Sequence, residues 1–318
     1  MGLAMLSILF FHFTEDCAVN AIHFTGIVKW YKTYIGSSGV DLFLFLSGLG
    51  LYYAMKKNSD ILRFYKRRLV RILVPYALVA VPTWLLIDVL WEQKGVRGFA
   101  CDLSFLSFFT EGTKLYWYIG AILVCYLIYP LLFALVEKCD RSVKLWGLCI
   151  LLCVALTASA KALAVFNSDL FSNVEVGLLR VTPFLIGCFY GRASYEKRHG
   201  YWLWGVIAVI SLTLLTQVSN IDSPFFDRYV LAAANISVSA CIAVLLDQLQ
   251  KDNWLLRFIG WFGTHSLEIY LCHVSIRRLM NMRGFHPCFV RYEFVMLILA
   301  MACAWLLHYV TSRNCIGS

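Results

Sequence analysis

Charge is scarce in this chain of 318 residues, and the scarcity excludes most soluble folds. Asp, Glu, Lys and Arg make up 15% of it, 60% is hydrophobic, and the mean hydropathy is +0.71. Soluble domains carry roughly a quarter charged residues and about 45–50% apolar ones. Proline is also rare, with six in all. No linker rich in small or polar residues and no internal repeat divides the sequence, so it reads as one domain, 1–318. Alternating segments of roughly ten residues, the mark of a membrane barrel, are missing; the apolar runs are about twice that length and unbroken. There is no CxxC spacing for a structural zinc, and no metal site is expected. GxSxG, Walker, HExxH and GxGxxG motifs are absent too, which leaves soluble-type hydrolase, ATPase, zincin and dinucleotide readings without support. An all-α, polytopic integral membrane protein remains.

A spanning helix needs about 20 apolar residues. Hydropathy places spans at 1–14, 36–55, 69–91, 115–136, 143–166, 176–191, 200–218, 229–249, 255–276 and 292–312, about ten in total. The connection 56–71, KKNSDILRFYKRRLVR, holds seven basic residues and one acidic, and belongs in the cytoplasm by the positive-inside rule. Alternation then puts the C-terminus inside. Of the 28 Lys and Arg, 16 fall inside, 10 outside, and Lys161 and Arg180 within spans. The net charge of +9 is therefore a topology signal, and no nucleic-acid partner is expected. Four outer cations crowd the loop RRLMNMRGFHPCFVR at 277–291, against the rule. Either that loop meets something anionic or the last two spans are misplaced. The first span ends early, before Glu15 and Asp16, and is too short to cross. Most of the twelve cysteines lie in apolar runs as small hydrophobes. Cys17, Cys101 and Cys288 fall in outer loops, where one disulfide is open.

Ionisable groups at membrane depth are costly and functional by default. His12, in SILFFHFTED, is a candidate general base, or an interfacial histidine packed by Phe11 and Phe13. Asp41 opens the second span and either orients a polar partner or caps the helix. Arg68 and Arg71, three apart, share a helix face and suit a phosphate; on charge alone they also read as a headgroup anchor. Arg180 has Glu175 five residues before it as a partner, and Lys161 reads as a snorkelling side chain. Glu268 and His273 are five apart, so His265 is the better neighbour for Glu268, in a proton relay or a plain interhelical bond. Tyr116, Trp117 and Tyr118 sit where an aromatic belt belongs, the stronger reading, though aromatic planes also stack on sugar rings.

Taken in order, MGLAMLSILFFHF, GVDLFLFLSGLGLYY, FYKRRLVRILVPY, YWYIGAILVCYLIYPLL, LLRVTPFLIGCFYGR and GTHSLEIYLCH resemble acyltransferase family 3, the membrane O-acyltransferases of bacterial polysaccharides and related glycans. The resemblance covers essentially the whole chain. It implies an acyl-CoA co-substrate, typically acetyl-CoA, used from the cytoplasmic side of the bacterial inner membrane, with no permanently bound cofactor. The acceptor it implies is a glycan hydroxyl at the outer face. His12 and Asp41 become the catalytic pair, Arg68 and Arg71 the donor-binding residues, and Arg180, Glu268 and His273 acceptor or oxyanion groups. The family's R-x10-H motif ends at His12, but position 1 is Met where the family has Arg. The expectation is a chain that starts late and is catalytically impaired as written. The chain looks like the stand-alone type, without an esterase-like domain, acting alone or with a separate partner protein. A small-molecule transporter and a non-catalytic component of glycan assembly are the rival readings.

Overall fold

In hydrocarbon every backbone N–H and C=O must be paired within the segment, so apolar runs of this length become helices. A computed structural model describes residues 1–22, 24–34, 39–196, 202–218, 224–248, 253–288 and 290–315, and within them there is no strand. The first four helices are α1 (Gly2–Val19), α2 (Gly26–Tyr34), α3 (Gly39–Lys57) and α4 (Ile61–Trp84). Two short helices, α5 (Gly95–Leu103) and α6 (Leu106–Thr110), precede α7 (Trp117–Glu137) and α8 (Ser142–Phe166). Then come α9 (Ser168–Leu178), α10 (Val181–Tyr195), α11 (Trp202–Val218) and α12 (Pro224–Asp247). The last three are α13 (Trp254–Thr264), α14 (Ser266–Met282) and α15 (Val290–Cys315).

The core is built on the close approach of α3 and α10. A side chain at Gly187 would run into the Phe45 carbonyl, and one at Gly48 into that of Phe184. Small residues let backbones meet in this way where no hydrophobic effect drives helices together. Around that contact Tyr52, Tyr129, Phe184 and Phe189 are fully buried. Helix α4 carries Pro75 and Pro82, and its last turns loosen into a π-helical stretch, Leu85–Trp91, that buries Asp88. Helices α11 and α12 form a thinner pair with its own small core of Leu215, Val230 and Ala234. Ile150, Leu151 and Val154 of α8 stay exposed, as a lipid-facing surface should.

Three differences from the sequence reading have physical causes. Among the described residues seven segments are long and apolar enough to cross a membrane, against about ten expected. The expected spans at 36–55, 200–218 and 255–276 fall short of that measure, the first two described only in part because residues 36–38 and 200–201 lie outside the described residues. The first and third carry Asp41, Glu268 and His273, which lower their apolar character yet are buried inside the bundle. The third is also broken at His265, between α13 and α14. The first helix does not stop at 14 but runs to Val19, because Glu15 and Asp16 are taken up by Arg277 of α14. That pairing also accounts for the crowded loop at 277–291. Arg277 meets Glu15 and Asp16, Arg278 lies 3.7 Å from Glu92, and Arg283 stacks over Trp91 at 4.0 Å. Three of the loop's four cations thus have partners within the protein, Arg277 and Arg278 in carboxylates and Arg283 in an aromatic ring.

Candidate active site

Two helices set two histidines face to face. On α1, His12 and Asp16 are one turn apart; on α14, His273 and Arg277 are one turn apart. The same period makes the helices meet twice. The imidazoles of His12 and His273 stack with centroids 5.0 Å apart and planes 13° apart. One turn on, Arg277 donates through Nε and Nη2 to Asp16 at 2.7 and 2.8 Å, and through Nη2 to Glu15 at 2.8 Å. The fork-on-carboxylate bond is strong and directional, so it fixes the register that stacks the rings. Nδ1 of His12 and both ring nitrogens of His273 are buried without a hydrogen bond. That leaves Nε2 of His12 as the ring nitrogen that reaches the cavity His12 lines.

This cavity, the first chamber, holds about 690 Å³. Its far wall carries Arg180, placed in the break between α9 and α10, and Arg228 of α12. Asp41 of α3 is fully buried behind them, with Arg180 Nε at 3.3 Å and Arg228 Nη1 at 4.0 Å. Arg180 also donates to the Val176 carbonyl at 3.0 Å, and its guanidinium lies 4.9 Å over the Trp117 ring. At the rim, Lys94 reaches Glu92 at 2.9 Å and Asp88 and Asp102 at 3.5 Å. Partial burial pulls the Lys94 ammonium down, but the three carboxylates outweigh it and hold the pKa above the ordinary lysine value.

At the other end, Asp60 caps α4 by accepting from the Arg63 backbone N–H at 3.1 Å. That start presents Arg68 and Arg71 on one face. Both line a basin of about 700 Å³ together with Arg63, Lys66 and Arg67. Both also line a smaller cavity of about 260 Å³, the tunnel, whose walls include Phe43, Leu46, Ile122 and Tyr126. The inward end of this tunnel is Ile8, Val40 and Tyr270, and these three residues line the histidine chamber as well. The basin, tunnel and chamber are therefore in series.

The candidates sort accordingly. His12 and His273 come together, as do Asp41 and Arg180, while Arg68 and Arg71 share one face as the spacing predicts. Glu268 is separated from His273: it bonds His308 of α15 at 2.9 Å and faces the arginine basin. The expected partner His265 instead bonds the Trp261 carbonyl at 2.9 Å and packs against the His308 ring. Asp41, not Glu175, makes the ion pair with Arg180. Trp117, expected in a lipid-facing belt, stacks with Arg180 in the chamber. The Cys17 thiol donates to the Cys288 carbonyl at 3.7 Å. Among the described residues no group of three or more His, Cys, Asp or Glu is placed to hold a metal ion. Arg277, Arg228 and His308 were not singled out. The signals were present: Asp16 and Arg277 repeat the histidines one turn on, and His308 is an ionisable group in the last apolar run.

Among known proteins, a family described as an acyltransferase domain matches residues 2–309. No curated protein matches the chain, and neither does any solved structure.

Proposed function

The chain belongs to this acyltransferase family, and from that premise we propose that it moves an acyl group from cytoplasmic acyl-CoA to a hydroxyl of a surface glycan in the bacterial inner membrane. The observation that carries the reading is the series of cavities, a cationic basin and a histidine chamber at opposite ends of one tunnel. The cation excess of 56–71 supports a cytoplasmic position for the basin. Coenzyme A carries several phosphates there, and guanidinium forks bind phosphates bidentately. Its thin acyl-bearing arm suits the tunnel, and the glycan enters the chamber from outside.

In this reading Nε2 of His12 takes the proton from the acceptor hydroxyl, since an alcohol is a weak nucleophile without a base. The alkoxide oxygen bonds to the thioester carbonyl carbon, the C–S bond breaks, and His12 passes the proton it took to the departing thiolate, which restores the neutral imidazole. The products are the glycan ester and free CoA thiol. His273 holds the His12 ring in plane; it offers no hydrogen bond to compete for the proton. Arg180, steadied by Asp41, faces the chamber where charge builds on the carbonyl oxygen. Glu268 and His308 belong to the donor end.

The test is the O-ester content of surface glycans, read by NMR before and after mild base. A deletion strain is complemented with the chain or with His12→Ala. Esters return with the chain and fall by about 10²- to 10⁴-fold with the variant, the range of a lost general base. Equal restoration by the variant overturns the assignment. The same comparison with Met1→Arg tests the arginine that the family motif places at position 1.

A further inference from the structure

The tunnel and the chamber share three residues from three helices: Ile8 of α1, Val40 of α3 and Tyr270 of α14. None can easily move aside. A side chain at Gly39, the residue before Val40, would sit 2.7 Å from the Ile8 side chain, so α1 and α3 already touch there. Tyr270 is buried, its hydroxyl 3.5 Å from the Leu115 carbonyl and its ring edge-on to Tyr118 at 5.4 Å. His12 lies one turn beyond Ile8 on the same face of α1. Helical side chains lean toward the N-terminus, so its ring hangs back over Ile8 and this seal.

A donor anchored at Arg68 and Arg71 enters the tunnel acyl end first. For its carbonyl to meet His12, the acyl group must lie against Ile8, Val40 and Tyr270, beneath the stacked imidazoles. We propose that these three residues form the acyl seat and determine which acyl groups are transferred, an inference that rests on the donor reading above. The seat offers two aliphatic side chains and a ring; in the adjoining chamber Arg180 and Arg277 are already held by Asp41, Glu15 and Asp16, and in the tunnel Arg68 and Arg71 are taken up by the donor's phosphates in this reading. A carboxylate on the acyl group would be buried there without a partner, which is costly. A longer chain would press on the His12–His273 stack. The seat therefore selects short, uncharged acyl groups and rejects dicarboxylic and longer ones.

Membranes of an expressing strain, corrected for membranes of the deletion strain, are supplied with labelled acetyl-, propionyl-, butyryl- or succinyl-CoA. The acyl acid that mild base releases from the glycan fraction is then counted. One methylene against an apolar wall discriminates by roughly 10- to 200-fold. Ile8→Ala and Val40→Ala should each raise the butyryl-to-acetyl ratio by about 10-fold or more, with Ile8→Val between Ile8→Ala and the parent. Inhibition by free CoA should stay unchanged, because the arginine basin is untouched. An unaltered ratio in both alanine variants, or a parent that prefers succinyl, overturns the seat and leaves the donor reading standing. A parent that transfers no acyl group from any of the four thioesters overturns the donor reading and the seat with it.

Discussion

The two ends of the passage carry cations in similar number and treat them in opposite ways. In the histidine chamber Arg180 faces Asp41, Arg277 holds Glu15 and Asp16, and Lys94 is ringed by Asp88, Glu92 and Asp102. In the basin Arg63, Lys66, Arg67, Arg68 and Arg71 form no ion pair with any described residue. They are exposed or half-buried, so water meets their desolvation cost. Buried paired charges are poor sources of stability but hold geometry, because breaking one leaves the other stranded. Unpaired charges in an open basin remain available to an anion. One end is built to position and the other to bind.

The comparison breaks most visibly at Asp41. The carboxylate is fully buried and Arg180 is 5% exposed. Removing one partner of a buried pair costs about 3–5 kcal/mol, and Asp41→Ala should lose about that much by thermal unfolding in nanodiscs. Asp41→Leu combined with Arg180→Met should recover most of the stability, as apolar replacements of buried pairs do, without recovering transfer. A loss below about 1 kcal/mol for Asp41→Ala, the level of an exposed pair, would mean that this charge does not position the chamber.

At the basin the effect is smaller and of another kind. Hydrogen bonds to charged groups contribute about 1.5–3 kcal/mol, or about 10- to 100-fold in affinity. Arg68→Gln and Arg71→Gln should each raise KM for acyl-CoA by that factor, leave kcat nearly unchanged, and shift stability by no more than about 0.5 kcal/mol. Added salt should weaken the parent's donor binding and do less to the variants, since accessible charges are screened. If either variant loses kcat and keeps KM, the arginine belongs with the positioning charges and the contrast between the ends fails.

How far the sequence discloses this arrangement depends on what each residue's role requires. Helical class and the arginine face follow from local features: apolar run length and the three-residue spacing of Arg68 and Arg71. His12 and Asp41 stand out because a polar atom in an apolar run is conspicuous by itself. Partnership is different, since it is fixed by which helices pack together. Glu268 has His265 three residues away and bonds His308, forty residues on. Arg180 has Glu175 nearby and pairs with Asp41 from α3. Apolar content alone ranks low the very helices that matter, since α3 and α14 carry Asp41, Glu268 and His273 and bury them. The three-residue seal lies beyond any one-dimensional reading, because Ile8, Val40 and Tyr270 look ordinary until three helices bring them together.

The smallest expected effect lies at the basin-side ends of α3, α7 and α10, where an ion pair does little and a neutral bond does more. Lys56 Nζ meets Glu137 Oε2 at 2.5 Å, but both side chains are about a third exposed. Such a pair contributes about 0.2–1 kcal/mol at most and is screened by salt. Glu137 also accepts a hydrogen bond from Tyr52 at 2.6 Å, and Tyr52 is one of the largest fully buried side chains. Lys56→Met should therefore cost less than about 1 kcal/mol, an effect that added salt diminishes in the parent. Glu137→Leu should cost more, about 1–3 kcal/mol, because it leaves the Tyr52 hydroxyl buried and unpaired. The pair Glu137→Leu and Tyr52→Phe should recover most of that difference. Thermal unfolding of the four proteins at low and high salt decides it. A lysine variant as damaging as the glutamate variant would place Lys56 among the positioning charges, and the division between the two ends would have to be redrawn at this corner.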